Sequence, residues 1–441
     1  MTHVHGGPHL RAAILAVGDE LTLGQTADTN SAWLAHRLHQ LGILAVEFNT
    51  VPDNLARHSA ALRRLADVAD LVIGTGGLGP TADDLTRPAL AQAMDDHLVE
   101  DMVALAQVEA FFAARGRPMP DINRAQAQRP SRGRSLANLH GTAPGLWGIV
   151  NGVDVFCLPG PPGEMKPMFE QQVVPRLRPD PGRVVRTRAL HCFGIGESDA
   201  ATRLGAMMAR TSMPLVGTTA SAGVVSVRLR FEGPATPADA DAALDLTERD
   251  IRTRLGEFIF GQDEDRLPSV VLALLRTRGE TLACVESCSG GLLASMLTDI
   301  PGSSSAFLGG IVAYANPAKS ALVGVDPHIL EIPGPGAVSA ECAAALALGG
   351  LERLRADHAL AITGIAGPDG AVPARDGVPA KPVGTVFIAR AARDQPADVR
   401  RFEFPGDRAA VRRWSALTAL AMLRFHLAGL PTPKLLRQVS P

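Results

Sequence analysis

The stretch TLACVESCSGGLLASML, residues 281–297, changes character at its middle. TLACVE is a short apolar run of the kind that makes a buried strand, and LLASML carries its apolar residues as a helix does. SCSGG between them is then a strand-to-helix turn. That reading decides the fold class, because strands feeding helices through short turns build open α/β sheets with helices on both faces. It also points to a site, since ligands of such sheets bind at the carboxyl ends of the strands. Ser287, Cys288 and Ser289, three possible nucleophiles, stand side by side in this turn.

The alternation continues in both directions. Around the turn the pattern predicts helices at 268–278, 317–324 and 339–354 and strands at 307–314, 358–363, 383–390 and 398–404. Asp407 is a good N-cap for the last helix and Gly429 a good stop. Toward the start of the chain the rhythm recurs. It runs through AAILAV at 12–17, a helix at 31–41, a strand at 43–51, a helix after Asp53 and Asn54, and a strand opening at Asp70. Residues 183–262 differ, with strand-like segments at 184–193 and 224–231 beside helical ones at 198–209 and 236–256. The sequence therefore predicts an α/β protein: two doubly wound, mostly parallel α/β domains, residues 1–180 and 265–430, joined by a small α+β module at 181–264. Residues 431–441 read as a tail.

The 441 residues are too many for one hydrophobic core. A net charge of −2 gives no electrostatic footprint for nucleic acid or anionic lipid. The one basic run, RPSRGR at 129–134, reads as a solvated loop. No apolar run approaches the roughly 18 residues of a membrane helix. MTHVHGGPH resembles neither a signal nor a transit peptide and reads as a frayed start. Five cysteines without CxxC spacing read as reduced thiols in a cytoplasmic protein.

Two scarcities bear on chemistry. Tyr314 is the only tyrosine, and Lys166, Lys319, Lys381 and Lys434 are the only lysines among 43 basic residues. A chain so biased toward arginine keeps an amine where a guanidinium will not serve, as where a proton must be lost near neutral pH. Lys319 lies in AYANPAK, after an apolar strand and at a helix start, beside Tyr314. Desolvated there, its amine would take a proton from a serine of the SCSGG turn, given hydrogen-bonding range directly or through a water or phenol. Ser-Lys pairs are a known variant of the catalytic triad, and Tyr314 would relay the proton or donate to the leaving group. The helix start would hold an oxyanion, with Gly290 and Gly291 allowing close approach of substrate. The competing reading of the turn is helix capping by serine. ITGIAGPDG at 362–370, with Thr363, Gly364 and Gly367, offers backbone amides for a phosphate or ribose, although a plain Gly/Pro turn has the same composition. Arg408, in the first turn of the last helix, opposes the helix dipole and suits an anionic ligand, a surface arginine being the alternative.

In the first domain, GTGGLGPTADDLT at 74–86 contains a literal GxGxxG at Gly74, Gly76 and Gly79. It lies on the third strand and is followed by Pro80, which argues against dinucleotide binding. Glycine amides cradle phosphate, and the paired carboxylates Asp83 and Asp84 would hold a Mg²⁺-like cation on it. Two acidic residues opening a helix are the rival reading.

ESCSGG, AYANPAK, GAVSAE, TGIAGPDG, KPVGTV and GDR, in that order over residues 266–430, resemble the C-terminal domain of the CinA (competence/damage-inducible protein A) family. The resemblance implies nicotinamide-nucleotide amidohydrolase activity without a cofactor: NMN and water give nicotinate mononucleotide and ammonia. It implies Ser287 as nucleophile and Tyr314 and Lys319 as acid/base partners. Ser289, Gly290, Gly291, Thr363, Gly364, Gly367 and Arg408 would line the substrate, with Cys288 packed inward. The family pattern reads ESCTGG, so Ser289 stands where threonine is usual, and the link 367–384 is longer than usual. GDELTLGQTADTN at 18–30 and LPGPPGEM at 158–165 resemble, with the glycine loop, the molybdopterin-binding-like domain at the CinA N-terminus. That implies an ADP-ribose pyrophosphatase dependent on Mg, Mn or Co. Asp83 and Asp84 would be on the metal, Gly76, Gly77 and Thr81 at the phosphates, and Asn30 and Glu164, with Asp19 and Glu20, around them. GIGES at 194–198 extends the resemblance into the middle module. Together these imply a homodimeric, bifunctional pyridine-nucleotide salvage enzyme. The competing class is a non-catalytic nucleotide- or pterin-binding regulator linked to competence or DNA damage.

Overall fold

The computed structural model describes residues 6–331, 333–370 and 381–439. His3, His5 and the middle of the long 367–384 link lie outside the described residues. By compactness the chain divides into one unit of residues up to 186 with 232–240, and a second of 187–231 with 241 onward.

In the first unit β1 (Arg11–Val17), α1 (Thr29–Gln40), β2 (Leu44–Val51), α2 (Leu55–Val68) and β3 (Leu71–Thr75) alternate as expected. Asp28 and Asn54 cap α1 and α2 by accepting the amides of Ser31 and Arg57. After α3 (Thr86–Ala93) come β4 (Arg134–Leu136), β5 (Gly145–Val150), β6 (Val153–Leu158) and α4 (Pro162–Met168). The six-stranded sheet runs β2-β1-β3-β6-β5-β4. Its first four strands are parallel and the last two antiparallel. Alternate residues of each central strand feed opposite cores. Ile14, Ile73 and Phe156 meet Leu34 and Leu38 of α1, whereas Leu15, Val72 and Val155 meet Leu62 and Leu65 of α2.

Two details of this unit correct the sequence reading. His9 is not part of a frayed start: it is buried, and its Nε2 lies 3.0 Å from the Asp154 carboxylate, which also accepts from Arg178 at 2.7 Å. The basic run 129–134 is not simply solvated, because Arg129 and Arg132 are spent on Asp101 and Asp96.

The second unit holds most of β7 (Arg183–Phe193), α5 (Glu197–Leu204), β8 (Leu215–Ser221), most of β9 (Val224–Pro234) and of α6 (Pro237–Leu255), and β10 (Ile259–Gln262), the sheet being ordered β8-β9-β7-β10. It continues through α7 (Leu267–Arg278), β11 (Leu282–Glu286), α8 (Leu292–Thr298), β12 (Phe307–Val312), α9 (Asn316–Val323), α10 (Ala340–Leu354), β13 (His358–Gly364), β14 (Thr385–Ala392), β15 (Asp398–Glu403), α11 (Arg408–Leu427) and β16 (Gln438–Val439). This sheet runs β12-β11-β13-β14-β15-β16, parallel over its first three strands and antiparallel thereafter. Leu272, Leu275, Leu420 and Leu423 of α7 and α11 pack one face, and Leu346 and Ala347 of α10 pack the other. Residues 431–439, expected as a tail, are built in: Leu435 is 2% exposed within the first of these cores, and β16 pairs with β15.

No helix of the described residues is long and apolar enough to cross a membrane.

Candidate active site

The register places the carboxyl ends of three parallel strands side by side. Glu286, the last residue of β11, pairs with Val312 of β12 and with Ile362 of β13. Adjacent parallel strands lie about 4.8 Å apart, so Ser287, the Ala313–Tyr314 segment and Thr363 emerge together. The Ser287 amide donates to the Ile362 carbonyl at 2.9 Å, and the Ala313 amide to the Glu286 carbonyl at 2.9 Å.

Glu286 was missed by sequence reasoning. It is 1% exposed, and its carboxylate accepts from the amides of Gly291 (3.0 Å), Leu293 (3.1 Å) and Ala294 (2.8 Å). The first turn of α8 is therefore occupied by a carboxylate, which suits its dipole, and is not open to an oxyanion. The Gly290 amide donates to the Ser287 carbonyl at 3.1 Å. The Ser289 amide is left without a hydrogen-bond partner among the described residues, and the Cys288 amide faces only its own thiol. Gly290 and Gly291, with φ of 59° and 90°, are needed for this turn to close on Glu286. The signal was legible in principle: a charged residue ends an otherwise apolar strand.

Ser287 is 7% exposed, and its hydroxyl has no hydrogen-bond partner among the described residues. Cys288 is buried, and burial pushes its thiol up to about 12. Ser289 is fully buried and its Oγ is unpartnered among the described residues, so it does not line substrate as expected. Instead its carbonyl accepts two bonds from Arg412, 3.0 Å from Nε and 2.8 Å from Nη2, another residue the sequence did not single out.

Lys319 is 2% exposed at the start of α9. Burial moves its pKa below the ordinary lysine value, opposed by the nearby thiols of Cys342 and Cys288. Its ammonium donates to the Tyr314 carbonyl at 2.7 Å, so of the expected routes to the Ser287 hydroxyl, direct or through a water or phenol, the direct one is not made. Tyr314 is 58% exposed, and its phenol oxygen accepts from Arg408 Nη2 at 3.0 Å instead of facing Ser287. Arg408 Nη1 donates to the Gly367 carbonyl at 3.0 Å, tying both to the start of α11. The Thr363 hydroxyl donates to the Ala337 carbonyl at 2.6 Å and is turned from the opening. Gly364 serves packing: a Cβ there would lie 2.7 Å from the Thr385 carbonyl oxygen.

In the first unit a cleft of about 460 Å³ lies at the ends of β1, β3 and β6. Its lining includes Asn30, Gly76, Gly77, Thr81, Asp83, Asp84 and Glu164, together with Glu20. Gly76, at φ 103°, approaches Val17 so closely that a Cβ would lie 2.3 Å from its carbonyl oxygen. The Gly76 amide is taken by the Leu158 carbonyl, so it cannot bind phosphate. The amides of Gly77 and Leu78 have no hydrogen-bond partner among the described residues. Asp84 corrects the expectation of paired metal carboxylates. Its oxygens accept the amides of Gly79 (2.7 Å) and Thr81 (2.8 Å) and the Thr81 hydroxyl (2.5 Å), closing the loop on itself. Thr86 and the buried Arg87 brace the same loop through the carbonyls of Gly76, Leu78 and Gly79. Asn30 donates to the Gly160 carbonyl, and Glu164 accepts from Asn138.

Among the described residues no three His, Cys, Asp or Glu side chains could hold a metal by themselves. Asp83 is exposed on the cleft wall. Asp53, held above the usual carboxylate range by burial and then by Asp19, Glu20 and Asp83, lies on the same wall. These are hard oxygen donors of the kind Mg²⁺ shares with substrate phosphates and water, and they fit that role and no all-protein cage.

Each unit thus carries an α/β sheet with polar groups gathered at its strand ends, which defines a multi-domain α/β protein with a candidate small-molecule site on each sheet. Comparison with known proteins gives the family. Residues 13–179 match a probable molybdopterin binding domain, 187–261 the damage-inducible protein CinA KH domain, and 264–427 the CinA C-terminal domain. A CinA-like protein of Synechocystis is 43% identical over 425 residues, covering 95% of this chain and 99% of the relative. A CinA-like protein of Frankia casuarinae is 39% identical over 436 residues, covering 97% and 98%. The chain belongs to the CinA family. Among solved structures, a CinA protein of Thermoplasma acidophilum is 32% identical, covering 38% of this chain and 99% of that one, with a TM-score of 0.36.

Proposed function

We propose that the C-terminal part of the chain is a nicotinamide-nucleotide amidohydrolase that converts NMN and water to nicotinate mononucleotide and ammonia. One observation carries the reading: Ser287 is followed by two amides that no other described residue engages, and a buried, pKa-lowered lysine lies near the adjoining Cys288. The Ser287 oxygen attacks the carboxamide carbon while its proton passes, through a bound water, to the neutral amine of Lys319. The tetrahedral oxyanion forms against the amides of Cys288 and Ser289, the residues that follow the nucleophile. Collapse breaks the C–N bond, and the Lys319 proton leaves with ammonia. Water then cleaves the acyl ester by the same route, Lys319 accepting its proton and returning it to Ser287. Arg408 and the backbone around Gly367 supply positive charge and polar contacts for the nucleotide phosphate. Release of ammonia from NMN by the full chain, lost in Ser287→Ala, tests this; a chain that binds NMN without turnover would be the non-catalytic regulator instead.

The N-terminal unit supports a second reading, a metal-dependent ADP-ribose pyrophosphatase. The open amides of Gly77 and Leu78 and the acidic wall around Asp83 favour it. These amides bind a phosphate, and Asp83 holds the face where a divalent metal would neutralise pyrophosphate charge. AMP release from ADP-ribose on adding Mg²⁺, Mn²⁺ or Co²⁺ is the test; binding without release would favour a nucleotide- or pterin-binding module.

A further inference from the structure

The helix α11 supplies two arginines to the Ser287 site. Arg408 holds the Tyr314 phenol and the Gly367 carbonyl, and one turn later Arg412 holds the Ser289 carbonyl inside the nucleophile turn. Two residues beyond Arg412, Trp414 continues an aromatic stack: Phe402 on Phe404 at 5.2 Å and Phe404 on Trp414 at 5.7 Å, with interplanar angles of 9° and 17°. The outer end of the stack is closed by the middle module. Gly223, in the turn between β8 and β9, sits so close that a Cβ there would lie 2.3 Å from Cζ3 of Trp414 and 2.7 Å from Cη2. Its φ of +86° is a left-handed conformation that glycine adopts freely. Val224 beside it packs against the same core as Trp414.

We infer that Gly223 and Trp414 are positioning residues for the hydrolase site, through which the middle module sets the placement of α11 and hence of Arg412 against the nucleophile turn. The inference rests on the amidohydrolase reading for its functional consequence, although the contact itself does not. A side chain at 223 forces the indole aside. The shift passes two residues back along the helix to Arg412, loosening the Ser289 carbonyl and with it the two open amides. Misplacement of a catalytic group by about 1 Å costs on the order of a hundredfold in rate.

The test uses the full chain with three variants: Gly223→Ala, Trp414→Phe and the double variant. Hydrogen exchange of the 287–294 amides reads the positioning and needs no substrate; NMN turnover reads the function. Gly223→Ala should speed exchange in this segment and lower kcat more than it raises KM. The double variant, which removes the indole's outer ring while keeping the left-handed strain at 223, should restore both. If exchange at 287–294 is unchanged in Gly223→Ala, or stays fast in the double variant, the inference is overturned. If the exchange behaves as expected but no chain releases ammonia from NMN, the positioning stands and the amidohydrolase reading fails.

Discussion

The Glu286 carboxylate lies 2.8 Å from the amide of Ala294, eight residues on, and closes the turn that carries Ser287. A serine or aspartate N-cap ordinarily sits at the helix start itself. Here the cap reaches back from the end of the preceding strand, leaving the turn residues free for other work.

Replacing this carboxylate should therefore damage stability and activity together. In Glu286→Gln one amide donor faces backbone donors, and a buried unsatisfied group costs roughly 1–3 kcal/mol. Thermal unfolding should show a lowered midpoint, and ammonia release from NMN should fall at least tenfold even at temperatures where the protein stays folded.

Ser287 and Cys288 should separate cleanly. A thiol pushed up to about 12 by burial is essentially all protonated near neutral pH and is a poor nucleophile. Cys288→Ala should keep most NMN hydrolysis, whereas Ser287→Ala should abolish it. The opposite result would move the nucleophile to Cys288.

In the proposed mechanism Lys319 would set the pH dependence. Its pKa is lowered by burial, so the neutral amine is reached at a pH below the ordinary lysine range of about 10.4, and kcat/KM for NMN should rise with pH through that lowered value. Lys319→Arg cannot lose its proton and should be inactive at every pH. A variant that keeps wild-type turnover would remove Lys319 from the chemistry.

In the N-terminal unit His58 is buried with both ring nitrogens unpartnered among the described residues, and burial lowers its pKa to about 4. The unfolded chain, with an ordinary histidine pKa of about 6.5, binds the proton first. This contribution to stability is complete above about pH 6.5 and is lost as pH falls toward 4, at most about 3 kcal/mol. Denaturant unfolding of wild type between these limits should show that slope, and His58→Leu should flatten it.

Asp83 and Asp84, adjacent in sequence, should behave differently. Asp84→Asn breaks the bonds to Gly79 and Thr81 and should loosen the glycine loop with or without metal. Asp83→Asn should leave the fold unchanged and raise the metal concentration needed for ADP-ribose turnover. Equal responses to metal would reject the division of labour.

The α/β alternation was legible because period and caps act locally: Asn54 and Asp407 cap the helices that follow them, and the apolar runs at Arg11–Val17 and His358–Gly364 are strands. The antiparallel flanks were not, since strand direction depends on which distant partner is met. The strand-end residues were legible as a set, because turns after apolar strands are where sites form. Individual roles were not. Whether Thr363 faces a ligand or the Ala337 carbonyl, and whether Asp84 faces a metal or its own loop, is decided by contacts across the fold. Arg412 escaped notice because Arg413 follows it and Arg408 precedes it in one arginine-rich helix start, with nothing in composition to separate them.

The burial of Leu435 has a practical meaning for anyone handling this protein. The peptide bond after Lys434, one of the rare lysines, is an obvious target for trypsin in the sequence, yet its next residue is locked inside the fold. Slow cutting there would report the integrity of the second unit, and a preparation nicked at that bond should be treated as damaged, not trimmed.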